Sequence, residues 1–499
     1  MSPRLRRATP ILAAAFALAC AAVALARQVT SAPNQPATRS APSHKPTDFS
    51  GAARADAPSP GKQTAPESNQ AFLSAADEVL RQMSQILDLP IKHPLKKSLR
   101  SRDQIRAYLL KQESGDKNKA QLRADEKSLE AFGLIPKNFP LNSFMIKVLT
   151  DQIAGIYDPK AKEFYIADWI PVSDQREVMA HELTHALEDQ SFHVDSWMKA
   201  ARPNDDAELA RDSVSEGSAL AAMIDYVLRD QHVGVRDLPN MNSLIGMSAL
   251  SQMNGDPVLA QAPLYIRDSL MFPYLEGTSF SQQFLKAHGG WADLKLLFQN
   301  PPVSTQQIIH PSLYLRGVTP VEVGLPRWKH VAPKKWKLLD ENVMGEFGLR
   351  EVLKQFLGAG AAAALAPAWK GDRYAVFEDS RTGQTPLVFR VALDSDAHGA
   401  EFFNEYSVAL AKKYPSRTHV RKNSEFLRFQ ADGGGVFLRC VAGECLDVEG
   451  ASRETFDSID RAIGWTPAPA DAATAVISAG GESRSQTALA SHPPIAGGP

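Results

Sequence analysis

The chain has 499 residues, 44% of them hydrophobic, and a formal net charge of -1. That length supports two or three folded domains, and the balanced charge gives no global attraction to nucleic acid or to anionic lipid. The apolar content excludes wholesale disorder.

Arg4, Arg6 and Arg7 precede an apolar run from Ile11 to Ala26 that ends in Ala24-Leu25-Ala26. This is the pattern of a secretory signal with an A-x-A cleavage site, so residues 1–26 are expected to be removed. The run is Ala-rich and shorter than the about 20 residues a bilayer span needs. The expected product is exported, periplasmic or extracellular, with no stable span after cleavage. Lipidation at Cys20 is the weaker alternative, because the preferred Leu stands one place out of position. Residues 27–69, rich in Ala, Pro, Ser and Thr, read as a flexible tether, and 466–499 read as a disordered tail.

The first folded segment places Phe72, Val79, Leu80, Met83, Ile86 and Leu87 at helical spacing, and Ile105, Tyr108, Leu109 and Leu110 mark a second helix. A third helix is predicted over 141–153. Ala154 to Tyr157, the turn Asp158-Pro159-Lys160 and Glu163 to Ile166 then predict a strand, a turn and a strand. Helices follow over 178–190, over 207–229 after the breakers Pro203-Asn204-Asp205-Asp206, and through 280–298. Past Pro301-Pro302 and His310-Pro311, the Pro- and Lys-rich stretch 320–337 reads as a domain boundary. A helix over 349–357, an Ala-rich segment, alternating runs at 374–377, 387–390 and 436–438, and a helix over 397–413 predict a small α+β module. Cys440 and Cys445 are expected to close a disulfide across a hairpin, with two buried free thiols as the alternative.

The segment Val178-Met179-Ala180-His181-Glu182-Leu183-Thr184-His185-Ala186-Leu187 carries the chemistry. Two imidazoles four residues apart project from one helix face toward one ion, a pairing that suits Zn2+. Glu182 points about a quarter turn away, where it can act as a general base. The bland alternative is an amphipathic helix whose His pair faces solvent or a satisfied core.

A catalytic zinc needs a third protein ligand. His193 is a poor candidate, because the extended motif that would use a later His requires Gly where Glu188 stands. Periodicity favours Glu216, which falls on one stripe with Leu209, Ser213, Leu220, Met223 and Val227. A carboxylate in an apolar stripe is costly unless paired or metal-bound. Gly217, Ser218 and Ala219 are expected to let this helix approach the zinc helix. Glu208 is the rival, on a face with Arg211, Asp212 and Ser215 that reads as a solvated helix start.

Two His, the adjacent Glu and a Glu on the next helix resemble the gluzincin metallopeptidases, and His181 to Ala186 matches the thermolysin zinc helix letter for letter. The resemblance is specific over roughly residues 150 to 230. It departs where the ligand Glu should be followed by Asp four residues on: Glu216 is followed there by Leu220, whereas Glu208 is followed by Asp212. It implies zinc-assisted attack of water on a peptide carbonyl with Glu182 as base, an edge strand within 156–166 that pairs with an extended substrate, and an oxyanion donor at His310 or Tyr274. The absence of a Gly-x-Met-Glu-Asn motif argues for endopeptidase action.

The fold class expected is α+β. A mainly helical, zincin-like peptidase domain with a small edge sheet spans 70–330, and a smaller α+β domain spans 335–465. The partner implied is a peptide or protein substrate. Two rivals stand beside this reading: an exported binding or assembly protein with a structural zinc site, which needs no base, and a zinc hydrolase of non-peptide amides or esters.

Overall fold

The structure, a computed structural model, describes residues 69–113, 116–152, 155–239 and 258–465. The expected signal segment, nearly all of the tether and the tail lie outside these residues. The first helix, α1 (Asn69–Leu87), buries Phe72, Val79, Leu80, Met83 and Leu87. It is followed by β1 (Lys96–Arg100), α2 (Arg102–Glu113), α3 (Asp116–Phe132) and α4 (Leu141–Gln152). The hairpin β2 (Gly155–Asp158) and β3 (Glu163–Ala167) falls where the alternation places it. β1 joins it in parallel to β3, giving the order β1-β3-β2 and leaving β2 at the edge.

Two long helices follow, α5 (Val172–Phe192) and α7 (Asp205–Leu228), separated by the short α6 (Val194–Lys199). Asn204 caps α7 by accepting from the Ala207 amide at 2.9 Å. Three acids in its first turn suit the positive end of the helix dipole. Next comes α8 (Leu264–His288), with Pro273 inside it. The sequence predicts helix only from residue 280, so the first part of α8 was hidden by that proline. The short helices α9 (Leu294–Gln299), α10 (Thr305–Ile309) and α11 (Pro311–Leu315) lead out of this region.

The remainder is a seven-stranded antiparallel sheet, β4 (Trp336–Asn342), β5 (Trp369–Asp379), β6 (Leu387–Leu393), β7 (Thr418–Lys422), β8 (Phe426–Ala431), β9 (Gly434–Val441) and β10 (Glu444–Ala451), in the order β4-β5-β6-β10-β9-β8-β7. Helices α12 (Gly345–Leu357) and α13 (Ala359–Leu365) lie between β4 and β5, α14 (Asp396–Lys413) follows β6, and α15 (Arg453–Ile463) closes the described chain. Phe402, Phe403 and Tyr406 of α14 cover one sheet face, and Phe456 and Ile459 of α15 cover the other. The disulfide Cys440–Cys445 joins residues that face each other across the β9-β10 hairpin.

The fold class is α+β, and one hydrophobic core runs from α1 and α5 into the sheet. Phe132 of α3 sets its ring edge-on against Tyr374 and Phe389, at 5.3 and 5.5 Å between centroids. The stretch read as a boundary is strapped down: the Val321 amide donates to the Lys370 carbonyl at 2.9 Å, and Trp328 packs under the sheet.

Gly217 does not serve the approach expected of it. It faces α8, where a Cβ would overlap the backbone of Gly277, and a Cβ on Gly277 would in turn overlap the Ser213 carbonyl. The two backbones touch, so neither side can yield. Gly217→Ala should lower stability by about 3 kcal/mol, read as a fall in thermal midpoint. Gly360→Ala is the control, because a Cβ there meets nothing within 4 Å; it should be neutral or slightly stabilising.

Candidate metal centre

Helix α5 is buried nearly all round, which the His-Glu-x-x-His segment shares: His181, Glu182 and Thr184 are buried, and His185 is nearly so. The four-residue spacing brings His181 Nε2 to 3.2 Å from His185 Nε2. Glu216, from the middle of α7, places its Oε2 at 3.2 Å from His181 Nε2 and 3.5 Å from His185 Nε2. Three ligand atoms from two helices thus form a nearly equilateral triangle. A tetrahedral zinc with bonds of ~2.0–2.1 Å separates its ligands by ~3.3 Å, so the donor set has the right size and chemistry.

Glu182 stands beside that triangle. Its Oε2 accepts from the Tyr157 amide of edge strand β2 at 2.7 Å, and its buried Oε1 has no hydrogen-bond partner. His181, Glu182 and His185 keep their ligand atoms within 4.8 Å of one another. Tyr157 is fixed through its hydroxyl, which donates to Asp189 at 2.7 Å, and Lys162 also bonds that carboxylate.

Electrostatics follows from burial. Desolvation lowers His181 below the usual histidine value, which favours the neutral imidazole a metal requires. Desolvation also raises Glu182 to about 8. For His185, burial opposes charge, but the Glu216 carboxylate and its neighbours outweigh it and raise the group well above the ordinary value. Glu216 moves the other way: burial pushes it up, and the two imidazoles more than reverse that, holding it well below the usual carboxylate range.

The rival ligand lies elsewhere. Glu208 is buried, not solvated as expected, and Arg202 holds it in a fork, Nη2 at 3.0 Å and Nε at 3.1 Å. Asp212 and Ser215 on that face are buried too. The expectation of a wet helix start fails because a fixed guanidinium compensates the carboxylate. His193 is the exposed C-cap of α5 with φ 55°.

The two expected oxyanion donors part company. Tyr274 sits on α8 with its ring stacked beside His181, at 6.3 Å between centroids and 29° between planes. His310 lies at the end of α10, and its Nε2 is 2.8 Å from Glu346 Oε1 of α12. Sequence reasoning assigns no site role to Tyr157, Asp189 or Glu188, and to Ser218 only that of a small residue at a helix contact. The signal the sequence offers for Glu188 and Asp189 is their place within a turn of His185.

Residues 336–454 match a family described as a domain of unknown function (DUF8575). No curated protein and no solved structure matches the chain. The matched segment is the sheet module, so the reading of the metal centre rests on its own residues.

The Glu346 bond raises His310 above the ordinary histidine value, against a smaller effect of burial. A raised folded value means that its contribution is complete below the unfolded value of ~6.5 and is lost as pH rises through the folded one. The thermal-midpoint deficit of His310→Ala should therefore be larger at pH 6 than at pH 9. Equal deficits would show that the pair is not titrating.

Proposed function

We propose that the protein is an exported zinc metallopeptidase that hydrolyses peptide bonds, with His181, His185 and Glu216 as metal ligands and Glu182 as general base. The observation that carries this reading is the triangle of His181 Nε2, His185 Nε2 and Glu216 Oε2, with edges of 3.2, 3.2 and 3.5 Å, inside a buried helix pair. Export is supported by the Cys440–Cys445 disulfide, and no helix among the described residues is long and apolar enough to cross a membrane.

When bound, zinc supplies a Lewis acid that polarises the substrate carbonyl and acidifies water. The protein's own groups do the rest. Glu182 Oε1, the oxygen without a partner, takes the proton of the attacking water and returns it to the leaving amine. Its raised value favours accepting a proton, and a cation beside it favours the carboxylate needed beforehand. The Tyr157 amide holds Oε2 and so fixes the carboxylate plane. Strand β2 lies at the sheet edge beside α5, where an extended peptide would pair, although its four residues are buried and its Tyr157 amide is given to Glu182. Tyr274 is assigned as oxyanion donor because its ring lies against that of His181.

Four variants test the assignment through zinc content and hydrolysis of casein or a peptide library. Glu182→Ala should keep zinc and lose at least about 10²-fold in kcat/KM. Glu216→Ala should lose zinc. Glu208→Ala should keep zinc and lose thermal stability, and Tyr274→Phe should lower kcat by about 10²-fold with zinc retained. Full activity in Glu182→Ala would refute the mechanism, and zinc loss in Glu208→Ala but not in Glu216→Ala would refute the ligand set.

A further inference from the structure

The proposed mechanism leaves one fully buried acid beside the centre unused. Glu188 follows His185 by three residues, so α5 carries both on one side, and its side chain is wholly inaccessible. One carboxylate oxygen, Oε1, accepts from the Ser218 hydroxyl of α7 at 2.6 Å. The other, Oε2, has no hydrogen-bond partner and lies 3.8 Å from His185 Nδ1. That separation is an ion-pair distance, longer than a direct hydrogen bond. The Ser215 hydroxyl, also on α7, is 3.3 Å from the same Nδ1. The nitrogen that does not face Glu216 is therefore bracketed by a carboxylate and a hydroxyl.

A carboxylate in this interior is unfavourable unless something answers it. Ser218 answers one oxygen, and among the described residues the polar group facing the other is the His185 ring. Ser215, Ser218 and the ligand Glu216 fall within one turn of α7, so the helix that supplies a ligand also supplies the brace for another. Imidazole ligands generally present one nitrogen to the ion and donate from the other to an acceptor that fixes the ring.

We propose that Glu188, braced by Ser218, is the positioning residue of His185: it accepts a hydrogen bond from Nδ1–H and thereby turns the Nε2 lone pair toward the metal. The proposal rests on reading the site as a zinc centre, and it adds a residue that contacts neither ion nor substrate. No bond is made or broken; the carboxylate selects one tautomer and one ring orientation. Tight metal binding then depends on an acceptor at position 188, not on bulk there.

Zinc affinity of the full chain, measured by chelator competition, separates these two possibilities without recourse to activity. Glu188→Met keeps the volume and removes the acceptor; it should weaken zinc binding by about 10- to 100-fold. Glu188→Gln should recover most of the affinity. Its amide oxygen can face Nδ1 while its NH2 donates to Ser218 Oγ, which is free to donate to the Ser215 carbonyl, 3.1 Å away. Ser218→Ala should weaken binding a few-fold. Cobalt-loaded Glu188→Met should show a shifted visible spectrum, and Glu188→Gln a near-native one. Thermal unfolding of the metal-free proteins checks that each is folded. If Glu188→Met fails to fold, Glu188→Gln and Ser218→Ala decide: affinity unchanged in Ser218→Ala and lost in Glu188→Gln overturns the proposal. Wild type binding zinc while Glu188→Met binds it equally tightly overturns the proposal alone. Wild type that binds no stoichiometric zinc overturns the metal reading and this proposal with it.

Discussion

A carboxylate held between two imidazoles in a helical interior is the constraint around which the rest is arranged. Glu216 and His181 are 3.2 Å apart, and His181 is completely buried. Such a group survives desolvation only if its partners are held in register. Register here means the relative position of α5 and α7 to within a fraction of an ångström. Helix α7 is therefore buried on every side and clamped to α8 through backbone contact at Gly217 and Gly277. Ser218 ties it to α5 through Glu188.

The axial position of α7 is set from outside the helical region. The Asp205 amide donates to Asn342 Oδ1 at 2.8 Å, at the end of β4. Asp206 accepts from the amide and hydroxyl of Thr305, and that hydroxyl accepts from the Phe347 amide of α12 at 3.1 Å. Gly345, at φ +75°, leaves the room the Asp206 carboxylate occupies. Desolvation raises Asp206 to about 7. The sheet module thus bears on Glu216 through the first turn of its helix. This gives the module matched as a domain of unknown function a physical role: it fixes the helix that presents Glu216.

Local period and motif spacing made much of this legible. The stripe through Leu209, Ser213, Glu216 and Leu220 pointed Glu216 inward, where its side chain is 15% exposed, because an i, i+3, i+4 pattern needs only the helix itself. The β2-β3 hairpin was legible for the same reason, as alternation around Asp158-Pro159-Lys160. Strands β1 (KKSLR) and β7 (THVRK) were not, since polar edge strands lack the apolar alternation that identifies buried ones. The first half of α8 was lost to Pro273, which reads as a breaker but is accommodated inside a buried helix. The partners Tyr157, Asp189 and Ser218 could not be read, because their roles exist only once distant segments meet.

The contrast between the two glutamates of α7, Glu208 buried and Glu216 partly buried, shows why one is the metal candidate. Glu208 faces a guanidinium, a charge present at every accessible pH, so it is fully answered within the chain. Glu216 faces two imidazoles, and burial keeps His181 toward its neutral form while His185 takes up the charge. With both imidazoles protonated, two cations would stand with their Nε2 atoms 3.2 Å apart in a low-dielectric interior. The chain alone can therefore supply Glu216 with one positive charge. A divalent cation at the same point would answer the carboxylate and use both lone pairs, which is the physical basis of the proposed metal centre.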